Sequence, residues 1–202
     1  MPSVFKYNGN EIIDSSGKLT ASAFPSGSIV QVQSTQLTTN ESTTLGSRGV
    51  NYVLMAGTAN GSGSGLLDVD ITPKITGSKI WLQCDWTGEF ANSGNVHNHM
   101  FFFWRDTTKL GNTHSTLSTA ITGVSPATLT YHGGDDDSTI EDLSMQYIDA
   151  HGISAGTQIT YKVGIVLNAA GDTLFTNRTV ADSDTADYER GVSSLVAIEI
   201  AP

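Results

Sequence analysis

His99, Met100, Phe101, Phe102, Phe103, Trp104 and Arg105 follow one another near the middle of a 202-residue chain, and the fold turns on how they are covered. In an extended strand alternate side chains face opposite ways, so Met100, Phe102 and Trp104 point to one side and Phe101 and Phe103 to the other. A strand that is apolar on both faces has to be covered on both. The outer faces of an isolated two-sheet sandwich meet water. The run therefore implies a second covering surface, and a neighbouring subunit is the simplest one.

Working outward, the period of two recurs. Ile80, Leu82, Cys84 and Trp86 share one face of the stretch from Ser78 to Phe90, and Lys79, Trp81, Gln83 and Asp85 share the other, where Trp81 is the odd member. Leu67, Val69 and Ile71 alternate with Asp68, Asp70 and Thr72, which describes one dry and one wet face, and Pro73 ends that ladder because it has no amide hydrogen. Further strands are read from Ser28 to Gln33, Val50 to Ala56, Leu129 to Tyr131, Leu143 to Asp149, Gln158 to Leu167, Leu174 to Asn177 and Ser193 to Ile200, about nine or ten in all. From Ser138 to Ile148 a helix competes, since Ser138 and Glu141 fit a capping box; the alternation of Leu143, Met145 and Tyr147 with Ser144, Gln146 and Ile148 favours a strand. Many short strands without a βαβ rhythm predict an all-β fold, an antiparallel, jelly-roll-like β-sandwich over residues 28–202.

Residues 1–27 differ. Val4-Phe5 and Ile12-Ile13 are separated by Asn8-Gly9-Asn10 and Ser15-Ser16-Gly17, so neither a helix nor a long strand can grow there. Repeated apolar anchors without a core of their own describe an extended N-terminal arm that lies on the domain or on a partner, or else a frayed terminus.

Composition narrows the function. The 22 Ser and 25 Thr favour strands and turns, and charged residues are only 15% of the chain. A net charge of -10 with no gathered cations argues against nucleic acid. The apolar runs are too short to cross a bilayer and the N-terminus lacks a signal-peptide pattern, so neither membrane insertion nor ordinary secretion is expected. Cys84 stands alone, which excludes an internal disulfide and suits assembly in a reducing cytosol.

Four segments in order carry a family likeness: Gly27 to Val32 after a proline; Ile71-Thr72-Pro73 leading to Ser78-Lys79-Ile80; Ile159 to Val163; and Asn177-Arg178 followed by Arg190 to Ser194 and Ile198-Glu199-Ile200. From about Gly27 to the C-terminus the chain resembles the β-rich module of tail-fibre and other virion structural proteins of tailed, notably marine, bacteriophages. The resemblance implies a noncatalytic virion protein assembled in the bacterial cytoplasm. It would be a homotrimeric short fibre, spike or head appendage, attached to capsid or tail proteins through residues 1–27, with host-surface glycan or protein as an outward target. A capsid decoration protein without a receptor is the alternative.

The chemistry of single residues is sparse. His97 and His99, at i and i+2, would project to one side of a strand. Three copies around a threefold axis would give six imidazoles for a metal ion, although exposed loop histidines are the common case. Trp81 is a candidate for stacking on a sugar or for a subunit contact, whereas Trp86 and Trp104 lie on apolar faces. Glu199 in an apolar last strand needs a partner, and Arg178 or Arg190 would form the structural ion pair. Asp68 and Asp70 point the same way, so a polysaccharide-degrading enzyme is a further alternative. That chemistry needs one carboxyl made less acidic by burial, and the pattern reads instead as a wet face. Asp135 to Asp137 form a solvated turn or a weak calcium loop. Gly61, Gly63 and Gly65 mark a flexible loop.

Overall fold

The computed structural model describes residues 4–15, 20, 23–54, 61, 65–91, 99–111, 121–127, 138–168, 170–181 and 188–202. In chain order the strands are β1 (Phe5–Tyr7), β2 (Asn10–Ile13), β3 (Ile29–Leu37), β4 (Glu41–Thr44), β5 (Asn51–Val53), β6 (Asp68–Ile71), β7 (Lys79–Ala91), β8 (Met100–Arg105), β9 (Thr108–Lys109), β10 (Ser125–Pro126), β11 (Glu141–Asp149), β12 (Ile159–Val166), β13 (Thr173–Thr176) and β14 (Ser193–Ile200). Two six-stranded antiparallel sheets form the body. One runs β10-β8-β12-β5, with β6 beside β12 and β9 beside β8; the other runs β3-β14-β7-β13-β4, with β11 along the far edge of β7. The all-β antiparallel sandwich expected from the alternation is what forms. The contested stretch is strand β11, because its whole length pairs with β7 and Leu143 and Met145 reach the core while Asp142, Ser144 and Gln146 stay wet. The expected strand from Leu129 to Tyr131 lies outside the described residues.

Between the sheets, Ile80, Leu82, Cys84 and Trp86 of β7 meet Phe101 and Phe103 of β8, and the Trp86 and Phe101 ring centroids are 5.2 Å apart. Polar pairs pin both ends of β8 to the opposite sheet. At its start, His99 Nε2 lies 2.7 Å from the carboxylate of Asp172, ahead of β13. At its end, Arg105 Nη1 donates to both carboxylate oxygens of Asp149 on β11, at 2.9 and 3.0 Å, and the Tyr161 hydroxyl of β12 donates to the same carboxylate at 2.8 Å. A buried carboxylate is tolerable here because each oxygen is bonded.

The covering of β8 differs from the expectation. Phe102 and Trp104 form a second apolar cluster with Val53 and Val166, flanked by Met100, Ile121 and Val124, on the side of the sheet turned away from the main core. Both are buried by this chain itself, at 0% and 3% exposure. Lys109 sets its ammonium 4.4 Å from the centroid of the Phe102 ring, and the Trp104 indole donates to the Tyr52 carbonyl at 3.1 Å. Gly61 passes so close that a β-carbon there would lie 2.8 Å from the Trp104 ring. Ile121 and Val124, ahead of β10, and the backbone at Gly61 cover, from within the same molecule, a surface that a bare sandwich leaves wet. No neighbouring copy is needed to enclose Phe101 to Trp104, and the inference of a subunit contact from that run is corrected accordingly.

The arm begins with a hairpin, β1 paired to β2. Val4, Phe5 and Tyr7 are 40%, 55% and 65% exposed. The sandwich is joined where the Gly27 amide donates to the Ala201 carbonyl and the Ala201 amide to the Ser28 carbonyl.

Candidate functional site

The outer face of the β7 sheet carries the feature that a half-wet sheet does not explain. Strand alternation turns Lys79, Trp81, Gln83 and Asp85 outward. Register places Ile148 of β11 opposite Trp81, Ile198 of β14 opposite Trp81 on the other side, and Val32 of β3 opposite Ile198. Val32, Ile198, Trp81 and Ile148 therefore line up across four adjacent strands, in the positions where cross-strand side chains touch. Val32 and Ile148 are 52% and 57% exposed. The Trp81 indole N–H donates to the Gln146 side-chain oxygen at 3.3 Å, which ties the ring toward β11.

Two depressions flank this bond. One of about 450 Å³ is mainly apolar and is lined by Trp81, Gln146, Tyr147, Ile148 and Ile200. The other, about 400 Å³, is mainly polar and is lined by Gln83, Asp85, Ser144, Met145 and Gln146 together with Val124 and Ser125 from the β10 end of the opposite sheet. They meet at Gln146. Among the described residues, the side chains of Gln83, Asp85 and Ser144 have no hydrogen-bond partner within the fold.

The other sequence candidates do not gather there. His99 is fully buried; the Asn168 amide donates to its Nδ1 at 2.9 Å, so Nε2 carries the hydrogen that goes to Asp172. With both ring nitrogens bonded, His99 cannot take its place in the suggested metal cage, and His97 lies outside the described residues. The expected ion pair of Glu199 is also corrected. Glu199 is fully buried, but it accepts from the backbone amides of Lys74 and Ile75 at 2.9 Å each and from the Gln31 amide at 2.6 Å, and forms no ion pair with Arg178 or Arg190. A turn after Pro73 presents two amide hydrogens to one carboxylate, which satisfies it without a cation. Arg178 instead donates to the carbonyls of Thr179 and Val180 and sits 4.8 Å over the Phe175 ring. Arg178 and Arg190 face each other in an isolated β-bridge.

Asp70 is exposed and accepts from the Thr160 hydroxyl at 2.6 Å. Asp68 departs from the expected wet face. One oxygen accepts from the Gly65 amide at 2.7 Å and the other is buried without a partner; burial pushes its carboxyl up to about 6, with the Gly65 amide and Lys162 pulling the other way. Asp135 to Asp137 and Gly63 lie outside the described residues.

Three polar groups were not legible as special. Glu141, at the start of β11, has one buried oxygen without a partner and is pushed up to about 7, first by burial and then by the nearby Glu89. Lys109 donates to Asn51 and to the Thr122 carbonyl while burial lowers its ammonium to about 8. His151 accepts from the Ile153 amide at Nδ1, its Nε2 is buried without a partner, and burial lowers its pKa. Only folding brings these environments together. The Asn177 side chain, by contrast, sits at a corner: it donates to the Leu37 and Thr39 carbonyls and accepts from Ser193 and Thr87, joining β3, β7, β13 and β14.

No protein-family model matches this chain, and no curated protein matches it either.

Proposed function

We infer that this chain is a noncatalytic structural protein of a tailed-bacteriophage virion: a short appendage that residues 1–27 anchor to the particle, that assembles as a homotrimer and that turns its sandwich outward. The arm carries this reading. A two-stranded hairpin by itself is marginal in water, and this one offers Phe5 and Tyr7, 55% and 65% exposed, to whatever it lies on. Capsid or tail proteins are the partners that such an anchor fits, and a neighbouring protomer of the trimer is the other surface within its reach. The order of the Gly27 to Val32, Ile71 to Ile80, Ile159 to Val163 and Asn177 to Ile200 segments supports the virion assignment. Outward, the sandwich meets the host surface.

The test is removal of residues 1–27. The intact chain is expected to measure as three copies by light scattering and to decorate particles in labelled electron micrographs. The truncated chain should keep the circular dichroism of a folded β-protein and lose its place on the particle. A truncated chain that decorates particles as well as the intact one overturns the anchoring reading, and a single-copy mass for the intact chain overturns the trimer.

A further inference from the structure

We propose that the outer face around Trp81 is a saccharide-binding site for an uncharged hexose oligosaccharide. The proposal supplies the ligand class for the host-surface contact above and rests on that reading for its biological setting, though its geometry stands apart from the arm. A pyranose ring is amphipathic: one face is a patch of C–H groups, and its rim is a ring of hydroxyls that both donate and accept. The site has the same division. Trp81, between Ile148 and Ile198, supplies an apolar platform on which C–H groups can stack. The neighbouring depression supplies hydroxyl partners that the fold leaves unengaged, namely the Gln83 amide, the Asp85 carboxylate and the Ser144 hydroxyl. Gln146 joins the two halves. Its oxygen is already held by the Trp81 indole N–H, which turns its amide hydrogens into oriented donors for a ligand hydroxyl.

Size and charge narrow the ligand. Depressions of about 450 and 400 Å³ that meet at one side chain suit adjoining sugar rings better than one compact metabolite. Asp85 and Asp142 stand outward on β7 and β11, and Lys79 lies two residues before Trp81 on the same face, in a chain of net charge -10. This field repels sulfated and uronic-acid polymers and leaves neutral sugars unaffected. A protein partner would have to match three separate unpaired polar groups beside the indole or leave them desolvated and unbonded, whereas hydroxyl-bearing rings match them at every position.

The test uses the intact chain and short oligosaccharides of glucose, mannose, galactose and N-acetylglucosamine, with dextran sulfate as the charged comparison. Binding is followed by tryptophan fluorescence and calorimetry. At least one neutral oligosaccharide is expected to bind and dextran sulfate to fail. Trp81→Ala should weaken binding at least tenfold, Trp81→Phe should restore part of it, and Gln83→Ala should weaken it severalfold without altering the fold. The proposal is overturned if none of the four neutral sugars binds at millimolar concentration, if Trp81→Ala binds as well as the parent, or if Trp81→Ala lowers the number of copies in solution, which would make this face a subunit contact. The chain lacking residues 1–27 should bind the sugar unchanged, so a failed anchor and a failed saccharide site give different results.

Discussion

Strands β7 and β8 each turn aromatic or aliphatic side chains away from the main core, and the molecule treats the two faces in opposite ways. Behind β8, Phe102 and Trp104 are enclosed by Val53, Val166, Ile121, Val124 and the passing Gly61. Behind β7, Trp81 stays partly exposed, with Ile148 and Val32 more than half exposed on the same row. The difference lies in the connections. Gly61, between β5 and β6, and Ile121 and Val124, ahead of β10, lie against the outer side of β8, and the described residues place no such cover over Trp81. An apolar residue on an outer face is therefore core or contact according to where the loops go, not according to its own strand.

The largest expected effect breaks this comparison most directly. Phe102→Ala should cost about 3–5 kcal/mol in guanidinium unfolding, as the loss of an enclosed aromatic does, whereas Trp81→Ala should cost less than about 1 kcal/mol. Equal costs would mean that the two faces are covered alike. Next comes Gly164 on β12, opposite Phe102, where an added β-carbon would lie 2.4 Å from the Phe102 ring and 2.7 Å from the Trp104 indole nitrogen. Gly164→Ala should destabilise by about 1–3 kcal/mol, because close-packed rings have no room to give, and combining it with Phe102→Ala should recover part of that loss. Additive costs for the pair would show that the contact is not the cause.

The smallest effect sharpens the comparison through pH. Asp68 pairs across from Lys162 on the covered face of the β8 sheet, and burial there holds its carboxyl up at about 6 against an ordinary 3.8. Between those values the folded chain keeps a proton that the unfolded chain has lost. Its contribution to stability is therefore whole below pH 3.8 and declines as pH rises to about 6. Asp68→Asn should remove that decline and leave the chain about 1 kcal/mol more stable at pH 7, a figure discounted for the half-exposed site. Thermal melts from pH 3.5 to 7.5 measure it, and parallel curves for parent and variant would place Asp68 in water with its neighbour Asp70.

Much of the fold was legible from local periodicity. The alternations around Leu82, Val69, Met145 and Val163 became strands, and Phe101 and Phe103 parted from Phe102 and Trp104 as the period of two requires, because a side chain's side of a strand is set by its own backbone. Trp81 was equally legible as the odd member of its face. What escaped were the relations set by long-range register and by loops. The row from Val32 to Ile148 exists only when β3, β14, β7 and β11 lie side by side. The amides of Lys74 and Ile75 reach Glu199 across more than a hundred residues of chain, His99 finds Asp172 from 73 residues away, and the cover over Phe102 comes from distant parts of the chain. Residue type and spacing alone determined an antiparallel sandwich with a doubly greasy strand; tertiary structure decided who covers that strand and which indole stays open. The reason is that periodicity is a property of neighbouring peptides, while burial and hydrogen-bond partnership depend on which remote segments the closed chain brings within a few ångströms.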